Sequence, residues 1–232
     1  MLWPGRSSMT GNRVVVVDFG MGNLRSVAKA VERVAPQARV IVSDDPAVVR
    51  SATRVIMPGQ GAIGTYVEAV RRTGLEDALR EAIAERPCLG ICLGLEVLYH
   101  FSEEDGGVEC LGVLDGRVRH LRSWWAETGW MGAEKVPHMG WNRVRQARAH
   151  PLWEGIDDGE RFYFVHSYCA LAQPGHREAV GVSDYGVPIT AAAARGNVFA
   201  TQFHPEKSQR SGLRLLANFV AWNGDERAGV LT

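Results

Sequence analysis

Surplus charge is the first thing this sequence lacks. Its 26 basic and 26 acidic residues cancel, so no global field favours nucleic acid or an anionic membrane surface. It also lacks a long apolar run. Nothing approaches the roughly 20 residues that a membrane helix needs, and neither a membrane nor a nucleic acid is expected as a partner. Cysteine is scarce: Cys88, Cys92, Cys110 and Cys169 are scattered through 232 residues, which is no disulfide framework. Residues 1–12 contain Trp3, Pro4 and Gly5 but no apolar core of a secretory signal. They read as a loose N-terminal extension, with Met9 as an alternative start, and residues 223–232 read as a tail. A reducing cytoplasm is the expected location. No internal repeat appears, and apart from four alanines at 191–194 there is no low-complexity tract.

What is present is an ordinary globular composition, 46% hydrophobic and 22% charged, in a chain long enough to bury one sizeable core without disulfides or metals. The first hundred residues alternate strand and helix patterns. Residues 14–17 form a run of four valines, as a strand covered on both faces requires. The glycine-rich turn 18–23 follows, and then apolar residues at helical spacing over 24–34. Residues 40–42 and 54–57 read as strands, 66–84 as helix interrupted near Gly74, 87–92 as strand and 93–100 as helix. From 108 to 145 and from 162 to 203 short strand-like runs are separated by turn residues, and 211–222 closes the chain as an amphipathic helix. The pattern predicts a single α/β domain over 13–222, with a mostly parallel central sheet flanked by helices and an antiparallel excursion in the second half. The segment 122–134, with Trp124, Trp125 and Trp130, reads as a surface loop tucked onto its own core, with an interaction patch as the alternative.

The most informative stretch is Gly90-Ile91-Cys92-Leu93-Gly94. A nucleophile between two glycines, joining a strand to a helix, has the form of a nucleophile elbow. So sharp a turn strains the nucleophile's backbone and excludes side chains two residues away on either side. The helix that follows aims its N-terminal amides at the sulfur. The pentapeptide alone is equally compatible with a buried cysteine in a tight turn. A thiolate also needs a base, and the base an orienting group. Gln202-Phe203-His204-Pro205-Glu206 offers both at the end of the strand-like run 198–203, with Glu206 placed to fix the tautomer of His204. Pro58-Gly59-Gln60-Gly61, after the strand 54–57, has the glycines that let backbone amides approach an oxyanion. It lacks the Lys-Ser/Thr ending of a phosphate-binding loop. Ligands of open α/β sheets sit at the carboxyl ends of strands, where Asn23, Gly59 and Cys92 emerge together.

These segments, with Asp18-Phe-Gly-Met-Gly-Asn-Leu-Arg-Ser-Val27, Lys135-Val-Pro-His-Met-Gly-Trp-Asn142, Tyr163-Phe-Val-His-Ser-Tyr168 and Lys207-Ser208, resemble the class I (triad) glutamine amidotransferases. Pro137-His-Met-Gly-Trp-Asn142 and Lys207-Ser208 point, within that class, to the glutaminase subunits of imidazole glycerol phosphate synthases. The resemblance implies a flavodoxin-like fold and a catalytic triad of Cys92, His204 and Glu206. It further implies an oxyanion hole from Leu93 with Gly59 or Gln60, and glutamine contacts at Gly61, Glu96, Glu104, His166, Ser167 and Tyr168. It implies no cofactor and no metal. Its partner is a (β/α)8-barrel cyclase, which receives ammonia through a tunnel and makes imidazole glycerol phosphate in histidine biosynthesis. Asn23, Trp141, Tyr163 and Lys207 match positions at that interface.

Judged without the resemblance, Glu104 is a solvated helix end, His166 a satisfied core histidine, and Tyr163 and Tyr168 plain β-core. One departure stands out: Glu96 occupies a place where the family usually has glutamine. Read as an ionised carboxylate, it cannot donate a hydrogen bond, and it disfavours a thiolate one turn away. Three other readings stay open on the sequence: an amidotransferase for a different acceptor, a catalytically silent module of the same fold, and a zinc site using Cys88, Cys92 and histidines.

Overall fold

A computed structural model describes residues 11–172 and 177–226, so residues 1–10 of the expected extension and 227–232 of the expected tail lie outside the described residues. The first half runs β1 (Arg13–Val17), α1 (Leu24–Val34), β2 (Arg39–Ser43), α2 (Pro46–Arg50), β3 (Arg54–Gly59), α3 (Ile63–Arg72), α4 (Leu75–Glu85), β4 (Cys88–Cys92) and the short α5 (Leu93–Glu96). The second half continues with β5 (Phe101–Ser102), β6 (Val108–Glu109), β7 (Arg117–His120), α6 (Leu121–Thr128), β8 (His138–Gln146), β9 (Glu160–His166), β10 (Tyr168–Cys169), β11 (Ala179–Asp184), β12 (Pro188–Arg195), β13 (Val198–Thr201) and α7 (Gln209–Ala221).

The main sheet has nine strands in the order β2-β1-β3-β4-β13-β12-β11-β8-β9. Pairing is parallel from β2 to β13 and antiparallel from β13 to β9. The antiparallel excursion therefore makes up four strands of one continuous sheet. A second sheet, β10-β7-β5-β6, stands beside it.

Side-chain alternation explains why β1 lies inside the sheet. Val14 and Val16 join the core on one face, and Val15 and Val17 the core on the other. Each buried valine contributes roughly 1.5–3 kcal/mol. Ala191, Ala192, Ala193 and Ala194 are buried on β12 as well. Local chemistry starts the helices: Asn23 caps α1 by accepting from Ser26 N–H at 3.3 Å, and Asp45 caps α2 by accepting from Ala47 N–H at 2.8 Å. Gly74, at φ +71°, divides α3 from α4 where the sequence pattern predicts an interruption.

Two expectations change. The helix expected over 93–100 stops at Glu96, because the chain turns back to bond Leu111, Val113 and Leu114 N–H to the carbonyls of Val97 and Leu98. The tryptophan segment begins as the helix α6 rather than a loop. His120 caps its start and Gly129, at φ +72°, ends it. Trp124 is buried, its Nε1 donating to Cys169 O at 2.9 Å, and Trp125 Nε1 donates to Tyr185 O at 3.1 Å. Trp130 stays exposed beyond the helix, donating to Glu134 at 2.8 Å.

Candidate active site

The expected site residues gather at the carboxyl edge of the parallel strands. Gly59 ends β3 in register with Cys92 at the end of β4. Thr201, the last residue of β13, is in register with Ile91. Gln202 and His204 therefore emerge beside Cys92. The turn after β1 reaches the same place, since a Cβ on Gly22 would lie 3.6 Å from Gln60 N.

Cys92 has φ +56° and ψ −108°, a conformation that side chains rarely adopt. Packing enforces it. A Cβ on Gly90 would lie 2.3 Å from Gly94 O, and one on Gly94 only 1.8 Å from Met57 O. Both flanking positions must therefore be glycine for α5 to start directly on β3 and β4. A strained residue held by such close backbone contacts is expected at a functional position. Burial, and then the carboxyl of Glu96, push the Cys92 thiol well above its usual range, against a hydrogen bond from Leu93 N–H. A thiol held up in this way needs a base before it can attack.

His204 is the candidate for that base. Its Nδ1 lies 2.9 Å from Glu206 Oε1, and both side chains are about 2% exposed. A carboxylate only accepts, so Nδ1 donates, and in the neutral imidazole Nε2 is the nitrogen that keeps its lone pair. Nε2 is buried and unpartnered among the described residues. Of the expected triad, His204 and Glu206 are thus hydrogen-bonded to each other, and the outer ring nitrogen of His204 has no partner among the described residues.

Glu96 is 2% exposed and takes a hydrogen bond from Gln202 Nε2 at 2.8 Å; the same nitrogen lies 4.0 Å from Cys92 Sγ. Burial raises its carboxyl to about 8, even with the bond from Gln202 pulling the other way. The ionised neighbour expected from the sequence therefore exists only above about pH 8. Below that, Glu96 is a neutral acid, so its charge acts on the sulfur only at higher pH, while burial opposes the thiolate throughout.

Glu104 is no solvated helix end. Its Oε2 accepts from Ile63 N–H at 2.9 Å and Asp105 Oδ2 from Gly64 N–H at 3.1 Å, so this pair caps α3. The cap fixes the start of α3, and so the far end of the loop 60–62 that follows Gly59. Gly61, at φ +103°, makes the turn in that loop. Gly59 itself is hemmed in: a Cβ there would lie 2.7 Å from both Leu93 Cβ and the Tyr66 ring. His166 is a satisfied, buried histidine, with Nδ1 2.8 Å from Tyr168 O and Nε2 2.9 Å from His138 Nδ1. Burial, then His138, lower it to about 3. Ser167 O accepts from Leu121 N–H at 2.9 Å.

Three of the expected interface residues form one patch. Trp141 and Tyr163 are in register across β8 and β9, ring centroids 6.1 Å apart, and Lys207 Nζ lies 5.9 Å from the Tyr163 ring. Trp141 is exposed. Asn23 emerges after β1 and spends its side chain on capping α1. Cys88 and Cys92 stand at opposite ends of β4, four residues and so about 13 Å apart along the strand, too far to share a zinc ion. Sequence reasoning gives no role to Gln202 or His138. Both lie inside motifs that the sequence singles out, but only the fold shows what either side chain touches.

Residues 15–222 match the family model described as glutamine amidotransferase class-I. The imidazole glycerol phosphate synthase subunit HisH of Thiobacillus denitrificans is 51% identical over 216 residues, 93% of either chain. The subunit HisH 1 of Pseudomonas aeruginosa is 53% identical over 211 residues, covering 91% of this chain and 97% of its own. Among solved structures, a glutamine amidotransferase superposes with a TM-score of 0.64 at 21% identity, covering 89% of this chain and 98% of its own. A glutamine amidotransferase from Thermotoga maritima gives 0.60 at 18% identity over 88% of this chain and 80% of its own. These two share the fold.

Proposed function

Because the chain belongs to the class I glutamine amidotransferases, and within them to the HisH glutaminase subunits of imidazole glycerol phosphate synthase, we propose that Cys92, His204 and Glu206 perform its glutamine hydrolysis. The observation that carries this assignment is the strained Cys92 at the end of β4 beside a His204–Glu206 pair whose Nε2 is unpartnered. Glutamine binds with its side-chain amide over Cys92. As Sγ bonds to the carboxamide carbon, the thiol proton passes to His204 Nε2. The oxygen that gains the negative charge is held by Leu93 N–H and by an amide of Gly59 or Gln60. One such donor is worth about 3–4 kcal/mol of barrier. His204 returns its proton to the departing nitrogen, which leaves as ammonia, and the carbon is left as a glutamyl thioester on Cys92. The same nitrogen of His204 then takes a proton from water, hydroxide attacks the thioester, and glutamate departs as the thiol reforms. Glu206 holds the imidazole in one tautomer throughout.

Gly61, Glu96, Glu104 and the turn 166–168 surround the substrate in this reading, with the Glu104 carboxylate available to an α-ammonium group. The chain is one subunit of a synthase complex. Its partner is a (β/α)8-barrel cyclase, which docks over Asn23, Trp141, Tyr163 and Lys207 and receives the ammonia in a cytoplasmic, histidine-forming reaction. Among the described residues no helix is long and apolar enough to cross a membrane.

Glutamate release, measured for the chain alone and with the cyclase and its nucleotide substrate, tests the proposal, with Cys92→Ala as control. Cyclase-dependent release that Cys92→Ala abolishes supports it. Release indifferent to the cyclase points to a different acceptor, and release that survives Cys92→Ala removes the nucleophile from the account.

A further inference from the structure

His138 has no part in the chemistry above, yet it is buried next to it. Its ring is stacked between Phe164, at 4.6 Å and 18°, and Tyr185, at 3.9 Å and 19°. Its nitrogens lie in a chain of hydrogen bonds whose direction can be derived. Tyr168 O can only accept, so His166 Nδ1, at 2.8 Å, carries a proton. Burial keeps both imidazoles neutral, so His166 Nε2 is bare and must accept. The donor is His138 Nδ1, 2.9 Å away. That leaves His138 Nε2 bare, and it accepts from Asn142 Nδ2 at 3.3 Å. The orientation of the Asn142 amide is set independently, since Nδ2 also donates to Asp184 O at 2.9 Å and Oδ1 accepts from Arg143 N–H at 2.8 Å. One tautomer of each histidine satisfies the whole set.

The chain ends where the backbone leaves one sheet for the other. Residue 166 closes β9 of the nine-stranded sheet, and residue 168 opens β10 of the four-stranded sheet. Across this turn Leu121 N–H bonds Ser167 O, and His166 Nδ1–H bonds Tyr168 O. If His138 ceased to donate, His166 could adopt the other tautomer and release the Tyr168 carbonyl. We propose that His138 is a positioning residue for the glutamine pocket, its Nδ1–H locking His166 in the tautomer that clamps the turn 166–168. This rests on the reading that the turn lines the glutamine site.

Two variants separate the donor from the ring. His138→Phe keeps a ring between Phe164 and Tyr185 but loses the donor. His138→Asn loses the stack but places an amide N–H near the position of Nδ1. Glutamine kinetics would be measured with the cyclase bound, together with 15N NMR of the His166 ring in the intact chain. A lost buried hydrogen bond corresponds to a change of about five- to tenfold. The expected result is that rise in KM for His138→Phe, with kcat within about twofold, and a KM within about twofold of the parent for His138→Asn. The reverse ranking, with Phe harmless and Asn damaging, makes His138 a packing residue and overturns the proposal. So does an NMR signature showing His166 protonated at Nε2, whatever the activity. A parent chain with no glutaminase activity sinks the pocket reading itself, and the NMR result still decides whether the clamp exists.

Discussion

Replacing Glu96 by glutamine tests whether a buried neutral carboxyl sits beside the nucleophile. In the unfolded chain this carboxyl ionises near 4.5, and in the folded protein burial raises it to about 8. Between those values the native state holds a proton that the unfolded state has lost. Stability therefore falls as pH rises through the window, and levels off above the upper value. At pH 7.5 about three units separate the solution pH from the unfolded value. At 1.36 kcal/mol per unit this costs about 4 kcal/mol. Glutamine has the same shape, keeps an acceptor for Gln202 Nε2, and carries no charge to neutralise. Glu96→Gln is therefore expected to stabilise the chain by about 2–4 kcal/mol at pH 7.5, or roughly 5–15 °C in Tm for a protein of this size. At pH 5 the gain is expected to shrink below about 1 kcal/mol. Thermal unfolding of both proteins from pH 5 to pH 8 measures this directly. Equal Tm values at pH 7.5, or a gain as large at pH 5 as at pH 7.5, would refute the reasoning.

Other substitutions probe the site piece by piece. Glu206→Gln is expected to lower kcat by about 10²- to 10⁴-fold with the fold intact, because an amide can donate as well as accept and so no longer fixes one tautomer of His204, nor does it stabilise the protonated ring; steady-state kinetics with circular dichroism check this. Gly94→Ala puts a Cβ 1.8 Å from a backbone carbonyl, and a loss of about 3 kcal/mol or more in denaturant unfolding is expected. Glu104→Gln keeps an acceptor for Ile63 N–H and discards the charge. Its Tm is expected to stay within about 2 °C of the parent while KM for glutamine rises, and a KM unchanged beside a lowered Tm would leave Glu104 as a helix cap alone.

Much of this site is legible in the residues because strong local constraints produce it. The Gly-x-Cys-x-Gly spacing reports the collisions of Gly90 and Gly94 with neighbouring backbone, and the valine run of β1 reports burial on both faces. Long-range consequences are not legible. Nothing local announces that Glu104 and Asp105 cap a helix that starts some 40 residues earlier, or that Gln202 reaches Glu96. The charge of Glu96 depends on burial, and burial comes from the fold. Aromatic and glycine content give the tryptophan segment the look of a loop. Its helix signals, a capping His120 and a left-handed Gly129, are weak alone and gain force only once Trp124 packs inside.

The central claim, that Cys92 is the nucleophile of glutamine hydrolysis, is tested most directly by covalent capture. The chain with its cyclase partner would be treated with an electrophilic diazoketone analogue of glutamine, digested, and the modified peptide mapped by mass spectrometry. The account predicts a single adduct on Cys92, slowed by added glutamine and absent in Cys92→Ser. An adduct on Cys88, Cys110 or Cys169, or none while glutamine is still hydrolysed, would contradict it.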